Sequence, residues 1–231
     1  MDSIADIKHA FYINLDSRPD RKNHVEKQLL GIGITPQKFK AIKLPNGAMG
    51  CSISHLKLLE MAKKNDFPHI LIVEDDILFT NPSLFINQFN KFLQTHKDFD
   101  VTLIAGNNLP PYENIDDTCV KVSKCQTTTG YLVQKHYYDT LISNYRKGIE
   151  HLMKEPDNHI LYAIDKYWFN LQNVDNWFLI IPLTVTQRED YSDIEKRQTN
   201  YARVMLDLDK VAFMKWQNEQ RVKAGLGKFL F

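Results

Sequence analysis

Residues 70–79 read Ile70-Leu71-Ile72-Val73-Glu74-Asp75-Asp76-Ile77-Leu78-Phe79, ILIVEDDILF. Four apolar residues, mostly β-branched, form a strand pattern buried on both faces, and three consecutive carboxylates follow where that strand leaves its sheet. The chain turns apolar again at once, so the acids are set against the core. Two carboxylates ~5 Å apart at an effective dielectric of about 20 repel by roughly 3 kcal/mol. A raised pKa or a cation removes that cost. A hard divalent ion such as Mg2+ or Mn2+, which takes oxygen ligands and bridges carboxylates to phosphates, is the simplest companion. If the strand pleat continues, Glu74 and Asp76 point to one side and Asp75 to the other.

Around this strand, apolar segments alternate with amphipathic ones. Residues 10–15 read as a buried strand, and Pro19-Asp20 opens a helix with Val25, Leu29 and Leu30 on one face and Gly31 as its stop. Residues 39–42 give a second strand, and a second helix begins near Cys51, with Ser52, His55, Leu58, Leu59 and Ala62 on one stripe. After the acids, Asn81-Pro82 starts a helix that turns Phe85, Phe89, Phe92 and Leu93 inward, and residues 101–105 form another buried strand. This alternation predicts an α/β fold with a mainly parallel mixed central sheet flanked by helices. Ligands in such sheets sit at the carboxyl ends of the strands. Further on, residues 120–122 and 131–133 read as short strands, 136–153 as a helix and 177–181 as a late strand. From Tyr191 onward the pattern is polar and helical. No repeat or linker breaks the chain, which predicts a single domain over residues 1–231.

Composition narrows the function classes. With 231 residues, 43% of them hydrophobic, the chain can bury a large core, so no disulfide framework is needed. A net charge of +1 offers no broad basic field for nucleic acid. Cys51, Cys119 and Cys125, an odd set without CxxC spacing, fit reduced thiols and a cytoplasmic setting. The N-terminal residues do not resemble a signal peptide, and no run reaches the ~20 apolar residues of a membrane span. The basic and aromatic C-terminal segment, from Lys210 through Trp216 to Lys228-Phe229-Leu230-Phe231, suits either a packed helix or peripheral contact with an anionic membrane. Nothing in the sequence specifies an oligomeric state.

The string Val73-Glu74-Asp75-Asp76 resembles the first strand of response-regulator receiver domains. Those need a phospho-accepting aspartate after a later core strand, whereas residues 101–105 run into Gly106-Asn107-Asn108. A second resemblance covers more. Ile13-Asn14-Leu15-Asp16-Ser17-Arg18-Pro19-Asp20-Arg21, Gly50-Cys51-Ser52-Ile53-Ser54-His55 and Leu71-Ile72-Val73-Glu74-Asp75-Asp76 resemble, in this order, three blocks of glycosyltransferase family 25. That family includes bacterial lipooligosaccharide glycosyltransferases and collagen galactosyltransferases. Weaker agreement at Thr129-Gly130-Tyr131, Ile164-Asp165 and from Pro182 through Gln187 to Asp193-Ile194 extends it over residues 11–195.

The resemblance implies a GT-A fold, a Rossmann-like nucleotide-diphospho-sugar transferase, with a nucleotide-sugar half at 10–110, an acceptor half at 111–195 and a helical tail at 196–231. It implies transfer of a hexose, galactose or glucose, from a UDP-sugar to a glycan, lipid-linked or protein hydroxyl, with Mn2+ or Mg2+ and inversion. Asn14, Asp16, Arg18 and Arg21 would face the donor's nucleotide, guanidinium groups being suited to phosphate or base. Ser54 and His55, with Ser52, would lie in the first turns of the second helix, whose free amides favour an anion. Asp76 would be the main metal ligand, with Glu74 and Asp75 aiding the metal or the ribose. Asp165 is the candidate base for the acceptor hydroxyl and Asp193 the reserve. No histidine follows His159, so Gln187, Asp193 or water would complete the metal shell. Ala48-Met49 stand where relatives often carry an acid. Trp168, Trp177, Tyr167 and Tyr131 fit either a sugar-stacking platform or the core. Two alternatives share these features: glycoside hydrolysis by paired carboxylates, and a catalytically silent sugar-binding or scaffold protein.

Overall fold

The apolar run at 70–73 becomes the middle of a strand flanked by helices on both sides. The computed structural model describes residues 1–192 and 195–225. The first half runs β1 (Ala10–Asn14), α1 (Pro19–Gly31), β2 (Gln37–Lys40), α2 (Gly47–Lys64), β3 (His69–Glu74), β4 (Ile77–Phe79) and α3 (Pro82–Thr95). Then come β5 (Val101–Asn108), β6 (Tyr112–Asn114), β7 (Cys119–Val122), β8 (Cys125–Gln134) and α4 (Tyr138–Lys154). Three single-turn helices follow, α5 (His159–Tyr162), α6 (Ile164–Tyr167) and α7 (Phe169–Gln172). The chain continues through β9 (Trp177–Ile180), β10 (Val185–Gln187), β11 (Asp190–Ser192), β12 (Arg197–Thr199), α8 (Ala202–Met205) and α9 (Val211–Lys223).

The eight-stranded central sheet has the order β2-β1-β3-β8-β5-β9-β7-β6. Six strands point one way; β8 and β7 run against them. The fold is the expected α/β layer with a mixed, mainly parallel sheet. Period-two alternation sorts β1 and β3 between two cores. Phe11, Ile13, Ile70 and Ile72 join Leu58, Leu59 and Ala62 of α2 and Leu141 and Tyr145 of α4 on one face. Ala10, Tyr12, Leu71 and Val73 join Val25 and Leu29 of α1 and Phe85, Phe89 and Phe92 of α3 on the other. Each strand is therefore covered twice, which explains its unbroken apolar run.

Three features depart from the sequence expectations. Strand β8 inserts between β3 and β5, antiparallel to both. Gly130 permits that placement, since a Cβ there would meet Ile104 Cγ1 at 2.7 Å and Ile77 Cδ1 at 3.1 Å. Helix α2 starts at Gly47, not near Cys51, because Asn46 caps it by accepting from the Met49 amide at 3.0 Å. Residues beyond Tyr191 are not helical throughout: β11 and β12 pair as a two-stranded sheet before α8 and α9. Trp168, Trp177 and Tyr131 are fully buried, so they build the core and not a sugar platform. Among the described residues no helix is long and apolar enough to cross a membrane.

His69 opens β3 with 5% exposure, and its Nε2 accepts the Lys8 amide at 3.3 Å, which requires a neutral ring. Burial, with a smaller contribution from His9, lowers its pKa from 6.5 to about 4. Between those values the unfolded chain binds a proton that the folded chain refuses. Stability is thus complete above pH 6.5 and falls as the pH drops towards 4, by about 3 kcal/mol in all. Urea melts of the parent and of His69→Gln should show that slope in the parent and a flatter profile in the variant. Equal slopes would rule this account out.

Candidate active site

Strand pairing ends at Glu74, and the next two residues form a turn, so the three acids do not keep the pleat. Glu74 turns towards α2 and β8. Its Oε1 accepts from Thr128 Oγ1 at 2.8 Å and the Cys51 thiol at 3.6 Å, and its Oε2 accepts from Gln187 Nε2 at 3.1 Å. His55 Nε2 lies 3.6 Å from Glu74 Oε1 with no closer partner. Tyr145 donates to the Tyr131 hydroxyl at 3.1 Å, and that hydroxyl lies 2.8 Å from His55 Nδ1. Giving every polar hydrogen an acceptor sends the Tyr131 proton to Nδ1 and leaves Nε2–H facing the carboxylate. Burial opposes the charge on Glu74, but His55, Thr128 and Cys51 outweigh it and hold its pKa below the usual value. Glu74 is a fixed anion.

Asp75 turns the other way. Its Oδ2 accepts from Asn14 Nδ2 at 2.7 Å and its Oδ1 from Arg21 Nη1 at 3.0 Å. Burial raises its pKa, while Asn14 and Arg21 restrain the rise. Asp76 is the least compensated of the three. Arg21 Nη1 reaches its Oδ2 at 3.3 Å, whereas Oδ1 is buried without any partner. Burial, reinforced by the Glu74 charge, pushes its pKa up to about 8 against the pull of Arg21. A carboxylate in that condition is short of positive charge.

Asp165 reaches the same corner from α6. Trp168 Nε1 and Gln172 Nε2 both donate to the Cys125 carbonyl, at 2.9 and 2.8 Å, and clamp the short helices onto β8. Thr127, at φ +78, sits in the left-handed region that β-branched residues avoid, and its amide donates to Asp165 Oδ2 at 3.0 Å. Burial raises the Asp165 pKa; Lys166 and the Thr127 amide lower it, and the Glu74 charge raises it further. Asp165 lies inside the first turn of its helix, whose N-cap is Ala163, so it does not act as the cap.

The other expected site residues divide. Arg18 and Arg21 stand at the start of α1, beside the acids. Asn14, 1% exposed, braces Asp75 and the Arg18 carbonyl. Asp16 faces away, paired with Lys38 and Lys40 at 2.7 Å each. Ser54 is buried, donating to the Gly50 carbonyl and accepting from the Ile42 amide, which ties α2 to the segment that follows β2. A Cβ on Gly50 would lie 2.5 Å from the Ile42 carbonyl, so glycine allows that close approach. Because α2 begins at Gly47, Ser52, Ser54 and His55 lie beyond its free amides, and the anion-binding role drawn from those amides does not hold for them. Asp193 lies outside the described residues, as do residues 226–231 of the tail.

Sequence reasoning missed Thr128, Arg188 and Asp190. Arg188 ties its amide to the Asp76 carbonyl at 2.8 Å. Asp190 Oδ2 accepts from Arg18 Nη2, Arg21 Nε and Arg188 Nη2 at 2.8, 3.1 and 2.8 Å. The charged run Gln187-Arg188-Glu189-Asp190 after an apolar stretch was the available signal.

The corner at the end of β3 thus combines a cation-short carboxylate, a guanidinium cluster and a second, partly buried acid brought in from α6. Residues 42–167, which carry Cys51, His55, the three acids, Thr128 and Asp165, match the family described as glycosyltransferase family 25 (LPS biosynthesis protein). The chain belongs to glycosyltransferase family 25. It is 27% identical over 224 residues to lipooligosaccharide biosynthesis protein lex-1 of Haemophilus influenzae, covering 80% of this chain and 71% of that one. Its identity to lipooligosaccharide biosynthesis protein lic2B of Haemophilus influenzae is 22% over 237 residues, covering 82% and 86%. Among solved structures, a glycosyltransferase involved in glycosylation of the major capsid of PBCV-1 superposes with a TM-score of 0.44 at 9% identity, over 74% of this chain and 80% of that one. The glycosyltransferase GlyE of Streptococcus pneumoniae gives 0.42 at 10% identity, over 77% and 46%. The family match begins after Arg18 and Arg21 and ends before Arg188 and Asp190, so it covers none of these four residues.

Proposed function

We propose that this family 25 transferase moves a hexose, galactose or glucose, from a UDP-sugar to a hydroxyl of a lipooligosaccharide or related glycan, with inversion and with Mn2+ or Mg2+. The observation that carries the reading is Asp76, whose buried Oδ1 has no partner and whose pKa is pushed up to about 8 with Arg21 as its guanidinium neighbour. Mg2+ is commonly held by one or two carboxylates together with substrate phosphates, and a free carboxylate oxygen fits that requirement. Both oxygens of Glu74 are engaged by Thr128, Cys51 and Gln187, so the metal role falls to Asp76 and Glu74 supplies fixed negative charge. Cys51, His55 and Glu74 also bring ligand atoms within 4.8 Å of one another, but a thiol and an imidazole suit softer ions than Mg2+ or Mn2+. When bound, the ion is a Lewis acid for the charge that grows on the departing diphosphate.

The chain's own residues supply the rest. Asn14 steadies Asp75, and Asp75 holds Arg21 beside Asp76, where its guanidinium can meet phosphoryl oxygens. Asp165, with its pKa raised by burial, takes the proton of the acceptor hydroxyl as that oxygen attacks the anomeric carbon. The alternation of acid roles follows from environment: a saturated carboxylate stays ionised, a desolvated one accepts a proton or a cation.

A screen of nucleotide sugars by thermal shift, with and without Mn2+, tests the reading. A true donor at a hundredfold excess over its Kd should add about 2.7 kcal/mol, roughly 5–11 °C in Tm. Incubation of the best binder without acceptor should release little free sugar, which separates transfer from hydrolysis. If no nucleotide sugar moves the melting curve under either condition, the reading fails.

A further inference from the structure

The arginines beside Asp76 are saturated in an unusual way. Arg18 precedes α1, Arg21 lies in its first turn and Arg188 follows β10, yet all three donate to one oxygen, Asp190 Oδ2, at 2.8, 3.1 and 2.8 Å. Arg21 also reaches Asp75 and Asp76, and Asp20 accepts from Arg18 and Arg188 at 3.0 and 3.3 Å. Three charged donors on a single oxygen is the environment that phosphoryl oxygens receive in arginine-lined sites. Asp190 belongs to β11, which pairs with β12 alone and not with the central sheet, so no ladder of the sheet dictates where its carboxylate lies. Its side chain is 17% exposed, and although burial opposes it, the Tyr191 amide and the three guanidiniums keep its pKa low.

We propose that Arg18, Arg21 and Arg188 form a three-guanidinium seat for the donor's diphosphate, and that Asp190 fills this seat in the absence of donor, its Oδ2 standing where a phosphoryl oxygen binds. This rests on the donor being a nucleoside diphosphate sugar. A diphosphate carries more charge and more acceptor oxygens than one carboxylate, so it displaces Asp190 and inherits its three donors. Asp190 is then a competitor of the donor, which is opposite in sign to the role of a residue that merely holds the arginines in place. Deleting a competitor tightens binding, whereas deleting a brace loosens it.

Calorimetric titration with inorganic pyrophosphate and with UDP, free of divalent ions, separates the two. Asp190→Ala should bind both about tenfold more tightly than the parent, Asp190→Asn should gain less, and Arg188→Ala should lose about tenfold or more. Equal or weaker binding by both Asp190 variants, or no pyrophosphate binding by any form, overturns the proposal. The parent protein gives a second measure, because the Tyr191 amide donates to Asp190 Oδ1 at 2.7 Å. Saturation with pyrophosphate should speed hydrogen exchange at that amide; unchanged or slower exchange counts against displacement. Should Asp190→Ala tighten pyrophosphate while no nucleotide sugar binds, the seat stands and the donor assignment falls. Should nucleotide sugars bind and react while Asp190→Ala gains nothing, the donor assignment stands and the seat falls.

Discussion

Asp76→Asn should lower kcat/KM for sugar transfer by about a thousandfold or more, a loss of roughly 4 kcal/mol of transition-state stabilisation. Asparagine keeps the shape of the side chain but cannot offer an anionic oxygen to a divalent ion. The parent carboxylate has one buried oxygen without a partner and one shared with Arg21, so a cation gains more there than at any neighbouring acid. The fold should not suffer. Burial raises the Asp76 pKa to about 8, above its unfolded value of 3.8, so its ionisation opposes folding as pH rises through that window. At pH 7 the variant should therefore melt at or above the parent temperature. Mn2+ electron paramagnetic resonance in the presence of UDP should lose its bound signal in the variant. A variant that transfers sugar at the parental rate, or that still binds Mn2+ with UDP, would remove the metal role from this residue.

Asp165→Asn should cost between about a hundredfold and ten thousandfold in kcat, the range of general-base catalysis, while UDP binds as in the parent. The split is informative because Asp165 is set apart from the arginines: its partners are the Thr127 amide and, at 3.9 Å, Lys166. Since burial raises its pKa, the parent should lose activity as pH falls through that value, and the variant's residual activity should lack that acidic limb. Retention of more than about a tenth of parental kcat would move the base elsewhere, with Asp193 next in line.

How legible was this site in the chain? The acids at 74–76 were legible because an apolar strand ends on them, and ligands collect at such strand ends. Their separate fates were not. Whether Glu74 is saturated or bare depends on Thr128 and Gln187, residues far along the chain, and whether Asp76 is compensated depends on the reach of Arg21. The start of α2 was misplaced because hydrophobic periodicity marks the buried stripe, whereas the helix begins after the Asn46 cap at Gly47, four residues before Cys51. Strand β8 was underestimated as three residues, since its polar half, Gln126-Thr127-Thr128-Thr129, carries no strand periodicity and is anchored where Gln126 pairs with Asn107 of β5.

Local order in this protein is set by its amino-acid pattern. Alternating apolar and amphipathic segments dictate an α/β layer, and the acids must emerge at the end of β3, because burial of side chains at periods of two and 3.6 is decided within each segment. The tertiary structure decides the electrostatics. Placing β8 beside β3, bringing Asp165 to Glu74 and gathering Arg18, Arg21 and Arg188 on Asp190 are matters of distance between remote residues. Desolvation and charge pairing, which separate a permanent anion from a waiting metal ligand and from a base, exist only once those distances are fixed.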